Sequence, residues 1–265
     1  MSAPAGRGLA VPLVAADWGP VAAGPRADVL ARRLDKARRR LASFERKVAM
    51  LESRIRSRAG AGAHVLEVAC GTGFTTLELA NRGLSAVGVD ASPELCVLTN
   101  AAAAHFGVDA RAVAGDGCAL PFADGRFDAV FSESFFEHVY DVDLTLREQT
   151  RVLRPGGLLL LLDGNLLNPL TLLDLLVFYP IRTRGRHGGL RWLLTKRRVH
   201  RNLYGYLAQG RDEDVKTLWW WRRRLRRHPE LRVLEIGTSA PDAHPGVPRI
   251  LHPFVGACKV VAEKA

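Results

Sequence analysis

The stretch VLEVACGTGFTTL (residues 65–77) puts one carboxylate, Glu67, and two glycines, Gly71 and Gly73, where a β-branched apolar run gives way to a helical pattern. Without a Cβ the backbone can turn sharply there, and a ligand can lie against it at the start of the next helix. Glycine pairs after strands are common, so the turn gains meaning only with a second feature downstream. Asp90, in GVDAS (88–92), ends the next apolar run, where a carboxylate can accept both hydroxyls of a ribose. Asp116, in AGDGCALPF (114–122), ends a third run in an acidic turn that could accept a hydrogen bond from an adenine amino group. Singly, each has a plain structural use, Asp90 beside a helix N-cap and Asp116 in a turn. In this order they point to a ligand that carries a nucleoside. A dinucleotide site would show GxGxxG, and the position of its third glycine holds Thr76.

These residues need strands to carry them and helices to cover those strands. From Gly60 onward, short apolar runs alternate with helical patterns, the signature of βαβ units on a parallel sheet. Strands are predicted at 64–69, 86–89, 110–113, 127–132 and 158–163, and helices at 75–82, 93–106 and 142–153. After Asp163 the alternation stops for an insert, 166–229, before two closing strands at 232–238 and 257–263.

Two further stretches, FDAVFSESFFEH (127–138) and RVLRPGGL (151–158), complete a pattern. Residues 62–165 resemble the class I S-adenosylmethionine-dependent methyltransferases, whose motifs read E-x-x-C-G-T-G, V-D-x-S, G-D-x-x-x-L-P-F and L-R-P-G-G. The resemblance implies an α/β, Rossmann-like, seven-stranded and mostly parallel sheet with an antiparallel last strand. To this the sequence adds an N-terminal helical extension and a helical lid insert. S-adenosylmethionine is the implied cofactor and S-adenosylhomocysteine the product. The resemblance assigns Glu67 to the local backbone and the methionine amino end, and Ala69, Cys70, Gly71 and Gly73 to the close approach of the cofactor. It assigns Asp90 with Ala91 to the ribose, Asp116 with Gly117 to the adenine, and Ser132 with Glu133 to the methionine portion. The family often has glycine where this chain has Ala69.

Methyl transfer from a sulfonium is an in-line displacement, so positioning and desolvation carry most of it, and only some acceptors need a base. His138 is the candidate for that base, although it could equally be a packed helix residue. Asp163 and Asn165, past the fifth strand, are candidates for binding the acceptor, since ligands sit beyond the carboxyl ends of strands in such sheets. Oxygen is preferred over nitrogen or carbon as the atom methylated. No metal site is expected.

The formal net charge of +11 favours an anionic partner, but the excess Arg and Lys is concentrated in 26–58 and 182–227. The four cysteines have neither CxxC spacing nor a neighbouring histidine at metal spacing, so a reduced, cytoplasmic setting is expected. Residues 1–25, rich in Ala, Gly and Pro, read as a flexible tail. Residues 26–58 read as one basic amphipathic helix whose stripe Leu30, Leu34, Ala37, Leu41, Phe44, Val48, Leu51 and Ile55 would pack on the domain or pair two copies into a homodimer. The methyltransferase domain then occupies 60–265. The insert joins the apolar run 170–181 to many arginines, Tyr204, Tyr206 and Trp219 to Trp221. That mixture suits a packed lid, a small-molecule or lipid-linked substrate, or peripheral contact with an anionic membrane surface, with nucleic acid ranked lower. An RNA methyltransferase and a non-catalytic partner-binding protein on the same fold remain the alternatives.

Overall fold

The computed structural model describes residues 11–22, 24, 26–139, 141–178, 181, 199–201, 207–209, 216–239 and 248–265. In chain order the elements are α1 (Ala27–Arg39), α2 (Leu41–Ala59), β1 (His64–Val68), α3 (Phe74–Asn81), β2 (Ser85–Asp90), α4 (Pro93–Phe106), β3 (Ala110–Ala114), β4 (Phe127–Glu133), α5 (Val142–Val152), β5 (Leu153–Asp163), α6 (Pro169–Leu173), β6 (Val199–Arg201), β7 (Leu207–Gln209), α7 (Leu218–Leu225), β8 (Leu231–Thr238) and β9 (Cys258–Lys264). Seven strands form one sheet in the order β3-β2-β1-β4-β5-β9-β8. It is mostly parallel with antiparallel last strands, as the sequence predicted. Backbone bonds from Ser239 to Ala257 and from Ala265 to Glu230, at opposite ends of β8 and β9, fix the antiparallel sense of that pair.

Contacts divide the chain into two compact units, one of residues 1–132, 148–160 and 264, the other of residues 133–147, 161–263 and 265. In the first unit the buried strand positions are mostly Val, Leu, Ala and Phe, as expected of a parallel sheet covered by helices. β5 starts at Leu153, so RPGG lies inside the strand and not ahead of it. Gly156 takes a positive φ of 73°, and a Cβ on Gly157 would meet the Arg154 carbonyl at 2.8 Å, so the bend expected before the strand is made within it.

The N-terminal region differs most from the sequence reading. Residues 11–22 are no flexible tail: Leu13, Val14, Trp18 and Val21 are buried with Leu30 and Leu34 of α1, Leu77 of α3 and Leu98 of α4. The Trp18 ring meets Phe74 and Phe106 edge-on at 5.2 and 5.0 Å, and the Leu13 N–H donates to Glu78 Oε2 at 2.8 Å. Four spaced apolar residues in an Ala/Gly/Pro-rich stretch show no period, which is why the sequence hid them. The single helix expected over 26–58 is two, broken at Arg40 (φ −116°, ψ 27°). The break lets Leu30 and Leu34 pack with residues 13–21 while Val48, Leu51 and Ile55 of α2 are buried separately. The stripe is therefore consumed within one chain, and the homodimer proposed through it loses its surface. Arg82 ties α2 to α3 through Glu45 at 2.8 Å, Glu52 at 3.2 Å and Glu78 at 3.1 Å.

In the second unit Trp221 of α7, fully buried, meets Phe136 edge-on at 5.2 Å. Thr217 caps α7 by accepting the Trp220 N–H at 3.1 Å, and Arg224 pairs with Asp143 at 2.6 Å. The insert holds the expected helices, α6 and α7, together with a π-helical turn over Asp174–Phe178 and an unforeseen antiparallel pair, β6 with β7. Tyr204, Tyr206 and the arginines of 182–198 lie outside the described residues. Among the described residues no helix is long and apolar enough to cross a membrane, and no group of His, Cys, Asp and Glu could hold a metal ion.

Replacing Trp18 with Ala removes a fully packed aromatic ring and should destabilise the protein by about 3 kcal/mol. Urea unfolding monitored by circular dichroism measures this, and an unchanged midpoint would return residues 11–22 to the status of a tail.

Candidate functional site

The parallel registers bring four strand ends to one level: Val68 pairs with Val89 and Ser132, and Val89 with Val113. Ala69, Asp90 and the turn after Ala114 therefore lie side by side at the carboxyl ends of the strands. The glycine turn is built by two buried carboxylates. Glu67 Oε2 accepts the Thr76 N–H at 2.9 Å and the Thr76 hydroxyl, which joins β1 to the first turn of α3. Asp90 Oδ2 accepts the Gly71 N–H at 2.8 Å, and its Oδ1 accepts the Ser92 N–H at 2.9 Å. Each Asp90 oxygen keeps a second lone pair, which matches the two hydroxyls of a ribose.

Gly73 is required twice over. It has a φ of 70°, and a Cβ there would come within 2.3 Å of Thr99 Cγ2 on α4. Ala69 takes a φ of 62°, the left-handed region where a side chain costs about 1–2 kcal/mol. Glycine would take this conformation without that cost, and this chain bears it with an alanine. Cys70 is buried with its Sγ against Gly88, and burial pushes its thiol well above the usual range. It therefore offers a ligand only backbone. Asp116 is exposed, its Oδ1 accepting the Cys118 N–H at 2.8 Å, and Gly117 is half-buried beside it. The Gly115 N–H donates to the Asp90 carbonyl at 2.9 Å, so the acidic turn adjoins the ribose candidate. Ser132 is buried, and its hydroxyl has no hydrogen-bond partner among the described residues. Ala91 and Glu133 are exposed.

A second cluster belongs to the other unit. Asp163, at the end of β5, accepts the Phe135 and Phe136 N–H groups through Oδ1 at 3.0 and 3.1 Å. Its Oδ2 is buried with no partner among the described residues. Burial pushes this carboxyl up to about 7, against the opposing pull of those two N–H groups and of Lys216. Lys216, which no motif in the sequence marks, is buried on the strand-like bridge to Asn165. Cys258, beside them, is pushed up to about 12 by burial and by the charges of Asp163 and Glu137, so it is no nucleophile. Asn165 has two backbone partners: its Nδ2 donates to the Pro253 carbonyl at 3.0 Å and its Oδ1 accepts the Leu167 N–H at 3.1 Å. Each end of its amide bonds backbone and so holds loops together, while one N–H and one lone pair are left for an acceptor. His138 has Glu137 Oε1 at 3.8 Å from its Nε2 and is largely covered.

A glycine turn between the first strand and its helix, an acid at the end of the second strand and an acidic turn after the third lie on a sheet whose order and mostly parallel sense are those of a Rossmann-like methyltransferase fold. The family model described as "Methyltransferase domain" matches residues 66–161. The chain is similar to a demethylmenaquinone methyltransferase of Mycobacterium marinum, 38% identical over 136 residues, 51% of this chain and 56% of the relative. It is also similar to one of Thermus thermophilus, 39% identical over 101 residues, 37% of this chain and 46% of the relative. The chain thus spans about half the length of the curated relatives it matches. Among solved structures it shares its fold with a geranyl diphosphate C-methyltransferase of Streptomyces coelicolor, determined with S-adenosylhomocysteine, at a TM-score of 0.54 and 15% identity. That match covers 82% of this chain and 79% of the other. The glycine cradle, the unspent lone pairs of Asp90 and the Ser132 hydroxyl fit S-adenosylmethionine, the cofactor that the resemblance implies.

Asp163 gives a test of the second cluster. Its carboxyl is raised in the folded state relative to 3.8 unfolded, so its protonated form favours folding. That stability is fully present below about pH 4 and is lost as the pH rises through about 7. Asp163→Asn cannot titrate, so from about pH 4.5 to about pH 7.5 the unfolding free energy should shift in the variant's favour by a few kcal/mol. A difference that does not change with pH would mean the carboxyl ionises normally.

Proposed function

We propose that this protein is a methyltransferase that moves the methyl group of S-adenosylmethionine to an oxygen of a small, apolar, lipid-linked acceptor. One observation carries the transfer: the Glu67 and Asp90 carboxylates hold the β1–α3 turn open at its glycines, with unspent acceptor capacity on Asp90. Bound there, S-adenosylmethionine supplies an electrophilic methyl on a sulfonium. In this reading Asp90 holds the ribose hydroxyls with Ala91 at its edge, and Asp116 with the Gly117 backbone holds the adenine amino group. Ser132 and Glu133 lie along the methionine portion, and Cys70, Gly71 and Gly73 contribute close backbone. A hydroxyl acceptor must lose its proton, and a carboxyl near neutrality suits that task, which favours Asp163 over His138 as the proton acceptor. The names of the relatives, demethylmenaquinone methyltransferases, support an acceptor of quinone type, whose reduced quinol form carries the hydroxyl that this transfer requires.

The lipid-linked character rests on the second unit's surface. Leu170, Leu173, Val177 and Ile181 turn an apolar face to solvent, with Leu170 75% and Ile181 69% exposed. Trp219 is exposed too, with the Arg223 guanidinium 5.9 Å from its ring centre. Solvent-facing apolar side chains, with an exposed tryptophan and arginine in the same unit, are what an anionic lipid surface attracts. Protein and acceptor would meet at that surface.

Asp90→Asn should weaken S-adenosylhomocysteine binding about tenfold or more in a protein that still unfolds cooperatively, as measured by calorimetric titration. Unchanged affinity would move the ribose elsewhere. Leu170→Glu with Ile181→Glu should reduce sedimentation with phosphatidylglycerol vesicles while leaving S-adenosylhomocysteine affinity intact. Equal sedimentation of both proteins would remove the lipid surface from the reading.

A further inference from the structure

The glycine turn has a cation resting on it that the methyltransferase motifs do not contain. Arg33, from the middle of α1, puts Nη1 3.1 Å and Cζ 3.7 Å from where a Cβ on Gly71 would stand. A side chain of this length could wander, but the helix beneath it cannot. Leu30 and Leu34, on either side of Arg33, are buried among Leu13, Trp18 and Leu77, and Leu77 lies one turn beyond Gly73 on α3. Arg38, further along α1, donates from Nε to the Val14 carbonyl and from Nη2 to the Ala16 carbonyl, both at 2.8 Å. α1 is thereby fixed to the segment that packs on α3.

The charge on Arg33 is also unspent. Its neighbours pair along their helices, Arg32 with Asp28, Arg39 with Asp35 and Arg56 with Glu52. Among the described residues no carboxylate pairs with Arg33. The two acids at the turn face other donors: Asp90 takes the Gly71 and Ser92 N–H groups, and Glu67 takes Thr76. A guanidinium held over the backbone of a binding turn, with no internal anion, is completed by an anion on the ligand. S-adenosylmethionine carries one anionic group, the carboxylate of its amino-acid part, at the opposite end from the ribose that Asp90 would hold.

We infer that Arg33 binds the cofactor carboxylate, so that α1 forms one wall of the cofactor site. This deepens the cofactor placement proposed above and rests on it. The two-nitrogen face of the guanidinium matches a carboxylate, whereas a lysine at the same position would offer a single point charge.

The test compares two ligands that differ in the amino-acid part. S-adenosylhomocysteine carries the carboxylate, while 5′-methylthioadenosine keeps the adenosine and the sulfur but lacks the amino acid. In calorimetric titrations Arg33→Gln should weaken S-adenosylhomocysteine about tenfold to a hundredfold. It should leave 5′-methylthioadenosine within twofold, and Arg33→Lys should recover part of the loss. An unchanged affinity for S-adenosylhomocysteine would overturn the inference, as would an equal loss for both ligands, which marks a merely structural arginine. Wild-type protein that binds neither ligand would overturn the cofactor placement itself, a result distinct from either of those.

Discussion

A carboxylate that reads backbone N–H groups is the interaction on which the first unit is organised. Glu67 leaves β1 facing inward and reaches across the glycine turn to Thr76, while Asp90 leaves β2 and takes the N–H of Gly71. Two strands thus grip one turn from two sides. A buried carboxylate without partners would be costly, and these groups offset that cost by satisfying N–H donors at the start of α3 that no helical carbonyl can reach. The turn in consequence keeps a shape that its own sequence disfavours, with Ala69 in the left-handed region and Gly73 pressed against Thr99.

Much of this was legible in the residues because the chemistry demands particular types at particular places. Gly71, Gly73, Glu67, Asp90 and Asp116 announce themselves by motif, and the alternation of apolar runs with helical stretches announces a parallel sheet. What was not legible depends on partners far away in sequence. The apolar residues at 13, 14, 18 and 21 carry no period of their own and gain meaning only against α3 and α4. The stripe over 30–55 reads identically whether it meets a second chain or its own domain, and only the break at Arg40 decides between them. Arg33 is one arginine among many on a basic helix, and Lys216 belongs to no motif. Asn165 shows a use that position alone did not reveal: it stands past β5 where a ligand contact is expected, and its amide also bonds the backbone of Pro253 and Leu167.

The two clusters differ in their chemistry. The first unit has a glycine turn braced by Glu67 and Asp90, and its thiol at Cys70 is silenced by burial. The second holds Asp163 near neutrality by opposing effects, desolvation raising its carboxyl while two N–H groups and Lys216 pull it down. A group balanced in this way can exchange a proton at physiological pH with little free-energy change in either direction, which a fully solvated aspartate cannot do.

The packing of residues 11–22 has a consequence for biosynthesis. Leu13 is bound to Glu78, and Trp18 rests on Phe74 and Phe106, so during synthesis these residues have no resting place until α3 and α4 have emerged after them. Throughout that interval a tryptophan and three aliphatic side chains travel uncovered on a nascent chain, where chaperones and neighbouring polypeptides can reach them.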